Sequence, residues 1–133
     1  MTGSATAKPR LLAIYEMGGY ANFMPLYQSL GFTVEVVNSM RKARTQLKRE
    51  VPEVIVAEYN FQSQFRDRTS NLETLMATLE KYGKTRVVAF YDSGAAHKLA
   101  QFQQRFPLYA ALPYPVDAQQ LRNVLERVVA ANP

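Results

Sequence analysis

Three carboxylate side chains, Glu16, Glu58 and Asp92, each follow a short apolar run of the chain. Glu58 ends the run Val54–Ala57 and is the first candidate for a catalytic acid. The three together would offer the oxygen ligands that a divalent cation binds. They come together if the apolar runs are parallel strands, because the carboxyl ends of such strands meet at one edge of the sheet. Ligands of parallel α/β sheets bind at that edge.

Other catalytic chemistries have less support in the sequence. The chain contains no cysteine, which excludes disulfides, thiolate metal sites and cysteine nucleophiles. His97 is the only histidine, and without a second histidine or a cysteine it completes neither a metal site nor a triad. We therefore expect His97 at the surface. Gly18-Gly19 is too short for a phosphate-binding loop and indicates a turn.

The apolar runs have the length and composition of buried β-strands. Five strands are predicted, at Leu11–Tyr15, Phe32–Val37, Val54–Ala57, Val87–Tyr91 and Leu108–Leu112. Residues 60–69 have neither the helical nor the strand period and are predicted to form the longest loop.

Helices are predicted between the strands from their capping and terminating residues. The first begins near Asn22 with Pro25 in its first turn and ends at Gly31. The others begin at Asn38 or Ser39, at Ser70 or Asn71, at Ser93 and at Asp117, and Pro52 and Gly83 follow the second and third.

This alternation predicts an α/β fold with a parallel sheet covered on both faces. The most common arrangement is flavodoxin-like (βα)5, with strand order 2-1-3-4-5. With 133 residues, 47% of them hydrophobic, the chain is long enough for one core. We expect a flexible tail over residues 1–9 and a single domain over residues 10–131.

Several residues stand at intervals that occur together in one known family. They are Ala43 and Leu47 with Pro52–Glu58, Pro115 with Leu121, and the join Leu30–Val34. In these the sequence resembles the CheY-like receiver domains of bacterial two-component response regulators, over nearly its whole length.

Receivers accept a phosphoryl group on an Asp of their own. An acidic pair binds the Mg²⁺ that this reaction needs, and a Lys and a Ser or Thr hydroxyl contact the phosphoryl group. The resemblance places Glu58 at the Asp, Tyr15 and Glu16 at the acidic pair, Tyr114 at the Lys and Tyr91 at the hydroxyl. With Tyr at three of these positions, Mg²⁺ and a phosphoryl group would bind poorly, because the transition-state charge lacks its clamp.

The resemblance therefore implies a degenerate receiver, or pseudo-receiver, with neither enzymatic activity nor a resident metal or cofactor. It would act in signal transduction through phosphorylation-independent contacts with a partner protein, and a homodimer is left open. Two alternatives are an atypical phospho-acceptor that uses Glu58 or Asp92, and nucleic-acid binding through the basic second helix. That helix holds Arg41, Lys42, Arg44, Lys48 and Arg49, in a chain of net charge +5.

Glu58 has two interpretations, a permanent stand-in for a phosphorylated Asp or an ordinary solvated acid. Five tyrosines fall at or just beyond predicted strand ends and are expected to fill the pocket between them: Tyr15, Tyr20, Tyr59, Tyr91 and Tyr114. By resemblance, the Tyr114–Pro115 peptide bond is expected to be cis.

The usual interaction face of the family is formed by the fourth helix, fifth strand and fifth helix. In this chain it would comprise Lys98, Gln101, Gln104, Arg105, Tyr109, Gln119, Arg122 and Glu126. No segment approaches the roughly 18 consecutive apolar residues of a membrane span. The N-terminus lacks the apolar core of a signal peptide, so we expect a cytoplasmic protein without membrane contact.

Overall fold

Five parallel strands form one sheet in the computed structural model, which describes residues 8–15, 22–59, 72–83 and 85–131. The strands are β1 Arg10–Ile14, β2 Thr33–Val37, β3 Val54–Glu58, β4 Arg86–Tyr91 and β5 Ala110–Pro113. Their order is β2-β1-β3-β4-β5, which confirms the flavodoxin-like prediction. All neighbouring pairs are parallel, with Leu12 of β1 opposite Ile55 of β3.

The helices alternate with the strands as predicted. They are α1 Met24–Ser29, α2 Met40–Arg49, α3 Leu72–Leu79, α4 Ala96–Arg105 and α5 Ala118–Ala131, with a 3₁₀ turn at Ser93–Ala95 before α4. No helix in the described ranges is long and apolar enough to cross a membrane.

Side-chain caps fix two of the helix starts where the sequence predicts them. The Ser39 hydroxyl accepts the Lys42 N–H at 3.1 Å at the start of α2. The Asp117 carboxylate accepts the Gln119 N–H at 2.7 Å at the start of α5. Each cap satisfies a backbone donor that has no partner inside the helix.

The start of α4 differs from the prediction. Ser93 lies inside the 3₁₀ turn and does not cap α4. Asp92 caps the turn, since its Oδ1 accepts the Gly94 N–H at 2.9 Å. The Asp92 carboxylate, one residue before Ser93, thus accepts the N–H of Gly94 in the 3₁₀ turn. Helix α4 begins at Ala96, three residues after Ser93.

Other boundaries shift by two residues or fewer. The helix expected near Asn22 begins at Met24, because the Asn22 side chain accepts the Met24 N–H at 2.9 Å just before it, and Pro25 lies in the first turn. β5 begins at Ala110, two residues after the predicted start. Gly31 follows α1 with φ +91°, a left-handed conformation that glycine adopts without strain.

Each face of the sheet carries its own hydrophobic core. On one face, Leu11, Val56 and Val88 pack with Tyr27 of α1 and Leu125 of α5. On the other face, residues of the same strands pack against α2, α3 and α4 through Leu47, Leu75, Leu79, Leu99 and Phe102. Burial on both faces explains why β3 is apolar throughout and does not alternate.

β2 is an edge strand of the sheet. It is the least buried of the five, and Val36 on it is 43% exposed. The helix that follows it, α2, is anchored by Ala43 and Leu47.

Candidate functional site at the carboxyl edge of the sheet

Glu58 is the last residue of β3 and is 2% exposed, the one buried polar or charged residue in the described part of the chain. The interpretation of Glu58 as a solvated acid is therefore wrong. A buried carboxylate is costly unless polar groups stabilise it. Its surroundings decide what it can do.

Aromatic side chains share the face of the sheet on which Glu58 lies. Glu58 is in register with Phe90 of β4, and residues in register on parallel strands point to the same face. The Phe90 ring meets the rings of Phe23 and Tyr114 edge to face, with centroid distances of 5.9 and 6.2 Å. Tyr15 packs into the same core from the end of β1. The described residues at the carboxyl edge on this side thus include several aromatic rings.

The tyrosine hydroxyls on this side are held in their neutral form. Burial raises the pKa of Tyr15, a hydrogen bond with Tyr27 opposes that rise, and the negative charge of Glu58 adds to it. Burial also raises the pKa of Tyr114, and Glu58 and then Asp92 raise it further. Both hydroxyls therefore keep their protons to a higher pH than an ordinary tyrosine does, in part because of the negative charge of Glu58.

The other three tyrosines predicted at strand ends do not lie on this face in the described residues. Tyr59, 4% exposed, packs edge to face on Phe102 of α4 at 5.5 Å, and Tyr91 contacts the same core. Burial and then Glu73 raise the pKa of Tyr59. Tyr20 lies outside the described residues. The prediction that all five tyrosines fill one pocket is thus wrong for Tyr59 and Tyr91, because alternate strand residues point to opposite faces.

The acids of the described residues do not fit a Mg²⁺ site. Glu58 is buried among rings, and Asp92 is exposed and uses its Oδ1 as a cap. Mg²⁺ requires near-octahedral oxygen ligation and several retained waters. No group of three His, Asp or Glu side chains in the described ranges could hold a metal. Glu16, the other member of the predicted acidic pair, lies outside those ranges.

Tyr114 occupies the position that the resemblance assigns to a Lys. Its backbone N–H donates to the Tyr91 carbonyl at 2.8 Å, which extends the pairing of β4 with β5. The Tyr114–Pro115 peptide bond is cis, as expected. The nearest lysine in sequence, Lys98, is exposed on α4.

Sequence reasoning missed three residues of this site, namely Phe23, Tyr27 and Phe90. Phe90 could have been found, because a period of two from Val88 places it on the face opposite to Tyr91. Tyr27 is fully buried, and its contact with Tyr15 depends on how α1 packs on the sheet. No local pattern carries that information.

The residues predicted on α4 form an exposed surface with the segment before β5. Lys98, Gln101, Gln104 and Arg105 are exposed, and Tyr109 is 39% exposed. The Arg86 guanidinium lies 5.5 Å from the centroid of the Tyr109 ring. We call the five predicted residues on this side, Lys98, Gln101, Gln104, Arg105 and Tyr109, the α4–β5 face.

The residues predicted on α5 lie apart from that face. The Arg122 guanidinium donates to the Ser29 hydroxyl of α1 at 3.3 Å and pairs with Glu126 at 3.5 Å. Gln119 lies within about 60° of Arg122 around the helix axis, at 3.6 residues per turn. These three residues therefore occupy the side of α5 that faces α1.

Comparisons with known proteins give a structural match and no sequence match. No family model matches the chain, and no curated protein matches its sequence. A signal receiver domain of a putative LuxO repressor protein from Vibrio parahaemolyticus matches with a TM-score of 0.70 at 17% identity, covering 95% of this chain and 93% of that one. The chain has the receiver fold.

Two further receiver structures agree. A response regulator receiver domain from Clostridium thermocellum has a TM-score of 0.73 at 15% identity, with 92% of this chain and 95% of that one covered. The receiver domain of an HD domain-containing protein from Pseudomonas fluorescens Pf-5 has a TM-score of 0.71 at 15% identity, with 95% and 98% covered. At such low identity, these matches establish the receiver fold alone. The chemistry of the carboxyl edge has to be argued from the residues of this chain.

Proposed function

We propose that this receiver-like domain acts in signal transduction without phosphorylation, through contacts with a partner protein. The observation that carries the proposal is the state of Glu58, which is 2% exposed and shares its face with Tyr15, Phe90 and Tyr114. A nucleophile must reach the phosphoryl donor, and a buried carboxylate among rings does not.

The electrostatics of the edge support the same proposal. Transfer of a phosphoryl group adds negative charge, which receivers neutralise with Mg²⁺ and a Lys. At the position of that Lys this chain has Tyr114, whose phenol is never a cation, so it supplies no positive charge. The acyl phosphate would form beside neutral rings, an environment that disfavours charge.

The α4–β5 face is the proposed contact surface for the partner. It offers an exposed tyrosine, Tyr109, in contact with Arg86, and an exposed Arg105 whose guanidinium lies 5.1 Å from the centroid of the Phe106 ring. Tyr and Arg are both enriched at protein interfaces. Its described ionic side chains, Lys98 and Arg105, are positive. We therefore expect an acidic partner surface. Gln119, Arg122 and Glu126 are left out of this face because they lie toward α1.

Phosphorylation is tested by incubating the protein with Mg²⁺ and acetyl phosphate and measuring intact mass. We expect no phosphoryl adduct on the wild-type chain. The double variant Glu58→Asp with Tyr114→Lys restores two receiver groups and serves as the comparison. An adduct on the wild type that disappears in Glu58→Gln or in Asp92→Asn would establish the atypical phospho-acceptor instead.

The contact surface is tested with a photo-crosslinking amino acid placed at Gln101, at Tyr109 and, as a matched control, at Glu126. We expect one and the same partner to crosslink from Gln101 and Tyr109 and not from Glu126. Charge reversal by Arg105→Glu should abolish that crosslink. Crosslinking from Glu126 alone would move the interface to the α1 side of α5, and a crosslink to a second copy of the chain would identify a homodimer.

A further inference from the structure

The outer face of α2 concentrates positive charge that the receiver-like function does not use. Five of its ten residues are basic, none is acidic, and Arg41, Lys42, Arg44, Lys48 and Arg49 are all exposed. Ala43 and Leu47 hold the opposite side of the helix against the core. The packing of the helix therefore fixes the backbone positions that carry these cations.

These cations have no carboxylate within ion-pair distance in the described part of the chain. The two ion pairs found there are Arg10–Glu50 and Arg122–Glu126. Glu50, the acid directly after α2, is thus engaged by Arg10 of β1. The positive potential of the helix surface is consequently not neutralised within the described fold.

A groove of about 500 Å³ runs along this surface. Its lining, which we call the cationic groove, consists of Val37, Ser39, Arg41, Lys42, Thr45, Gln46 and Arg49. No acidic side chain lines it. Arg41 and Arg49 are eight residues apart, which separates them by about 12 Å along the helix axis. The groove therefore offers positive charge at both ends and polar groups between.

We propose that the cationic groove binds the phosphodiester backbone of a nucleic acid without reading its sequence. Arg guanidinium groups bind phosphate oxygens through two parallel hydrogen bonds, and Arg supplies two of the three cations here. Backbone contacts of this kind orient a nucleic acid and carry no sequence information.

The composition of the surface favours nucleic acid over the other anionic partners. The outward side of α2 has no aromatic residue, whereas protein interfaces are anchored by aromatic side chains. It also has no apolar stripe to enter a lipid layer, which interfacial helices need. What remains is a charged, polar groove suited to a regular row of phosphates.

The test measures fluorescence anisotropy of a labelled random-sequence DNA duplex titrated with the full chain at several salt concentrations. With three phosphate contacts, the logarithm of the association constant should fall with the logarithm of salt concentration with a slope of about −3. The variant R41Q/K42Q/R49Q should bind at least about tenfold more weakly and lose about one unit of slope per contact. Gln keeps a good helix propensity at these exposed positions, and circular dichroism verifies the fold.

A matched variant, K8Q/K81Q/R127Q, removes the same number of charges from exposed positions outside the groove. It should keep most of the affinity. Equal weakening in both variants would assign the binding to net charge and overturn the proposal, as would the absence of binding to the wild type. Tighter binding to phosphatidylglycerol vesicles than to DNA, lost in R41Q/K42Q/R49Q, would overturn it in favour of a membrane surface.

Discussion

The carboxyl edge of the sheet and the outer face of α2 treat charge in opposite ways. At the edge, Glu58 is buried among rings, and Tyr15 and Tyr114 are kept neutral. On α2, five cations are exposed and lack an ion-pair partner in the described residues.

At the carboxyl edge the side chains contribute to packing, whereas on α2 they contribute to the long-range electrostatic potential. Substitutions at the edge should therefore change stability, whereas substitutions on α2 should change binding and leave stability nearly unaffected. We thus expect the region around Glu58 to behave as core and the outer face of α2 to be open to a ligand.

The largest effect on stability is expected from Phe90→Ala. Phe90 is fully buried between Phe23 and Tyr114, so its removal leaves a cavity and should cost about 3–5 kcal/mol. Urea denaturation measures the loss. Lys42→Ala on the exposed face of α2 is the control and should change stability by less than about 0.5 kcal/mol. Similar losses in the two variants would remove the contrast between the regions.

A further loss of stability is expected at alkaline pH. The folded-state pKa values of Tyr15, Tyr59 and Tyr114 lie above the unfolded value of about 10. Below that pH both states hold the protons. As pH rises toward the folded pKa values, the unfolded state loses its protons first and the protein destabilises. Urea midpoints that stay constant from about pH 10 to about pH 11 would contradict the burial of these hydroxyls.

Loss of the cap of α2 should have a smaller effect. The Ser39 hydroxyl accepts the Lys42 N–H at 3.1 Å, and Ser39→Ala should cost about 1 kcal/mol, measured by urea denaturation. Ser39→Asp keeps an acceptor at the same position and should retain stability. Ser39 also lines the cationic groove. If DNA binding weakens in Ser39→Asp and not in Ser39→Ala, binding depends on the charge of the groove and not on the stability of α2.

The smallest effect is a selective shift of tyrosine pKa values. Glu58→Gln should lower the pKa of Tyr15 and of Tyr114, because it removes the negative charge that raises both. Glu73→Gln should lower the pKa of Tyr59 and leave the other two unchanged. NMR titration of the tyrosine ring carbons follows each group. An identical response of all three tyrosines to either variant would mean that the two faces of the sheet are not electrostatically separate.

The sequence predicts the strand order and two caps of this fold because those features are local or follow from general rules of chain connection. Ser39 and Asp117 cap their helices through bonds that span three residues or fewer. Right-handed crossovers between parallel strands leave few arrangements, of which 2-1-3-4-5 is the most common. Asp92 replaced Ser93 as a cap because both stand close to free N–H groups and sequence alone does not rank them.

The burial of Glu58 could not be predicted in the same way. A strand end normally meets solvent, whereas Glu58 shares its face of the sheet with rings that other elements supply, including Phe23 before α1 and Tyr114 after β5. The placement of Arg122 toward α1 is likewise a tertiary property, since it depends on the contact with Ser29. Local patterns position backbone elements, whereas the environment of a side chain depends on packing between them.

The edge position of β2 has a consequence for how the domain behaves at high concentration. Within the described residues no strand pairs with the outer side of β2, and such an edge in other proteins recruits a strand from a second molecule. Val36 is 43% exposed there and would favour such recruitment, whereas the exposed carboxylate of Glu35 beside it disfavours it by charge repulsion between copies. We therefore expect Glu35 to oppose the pairing of β2 strands from two copies.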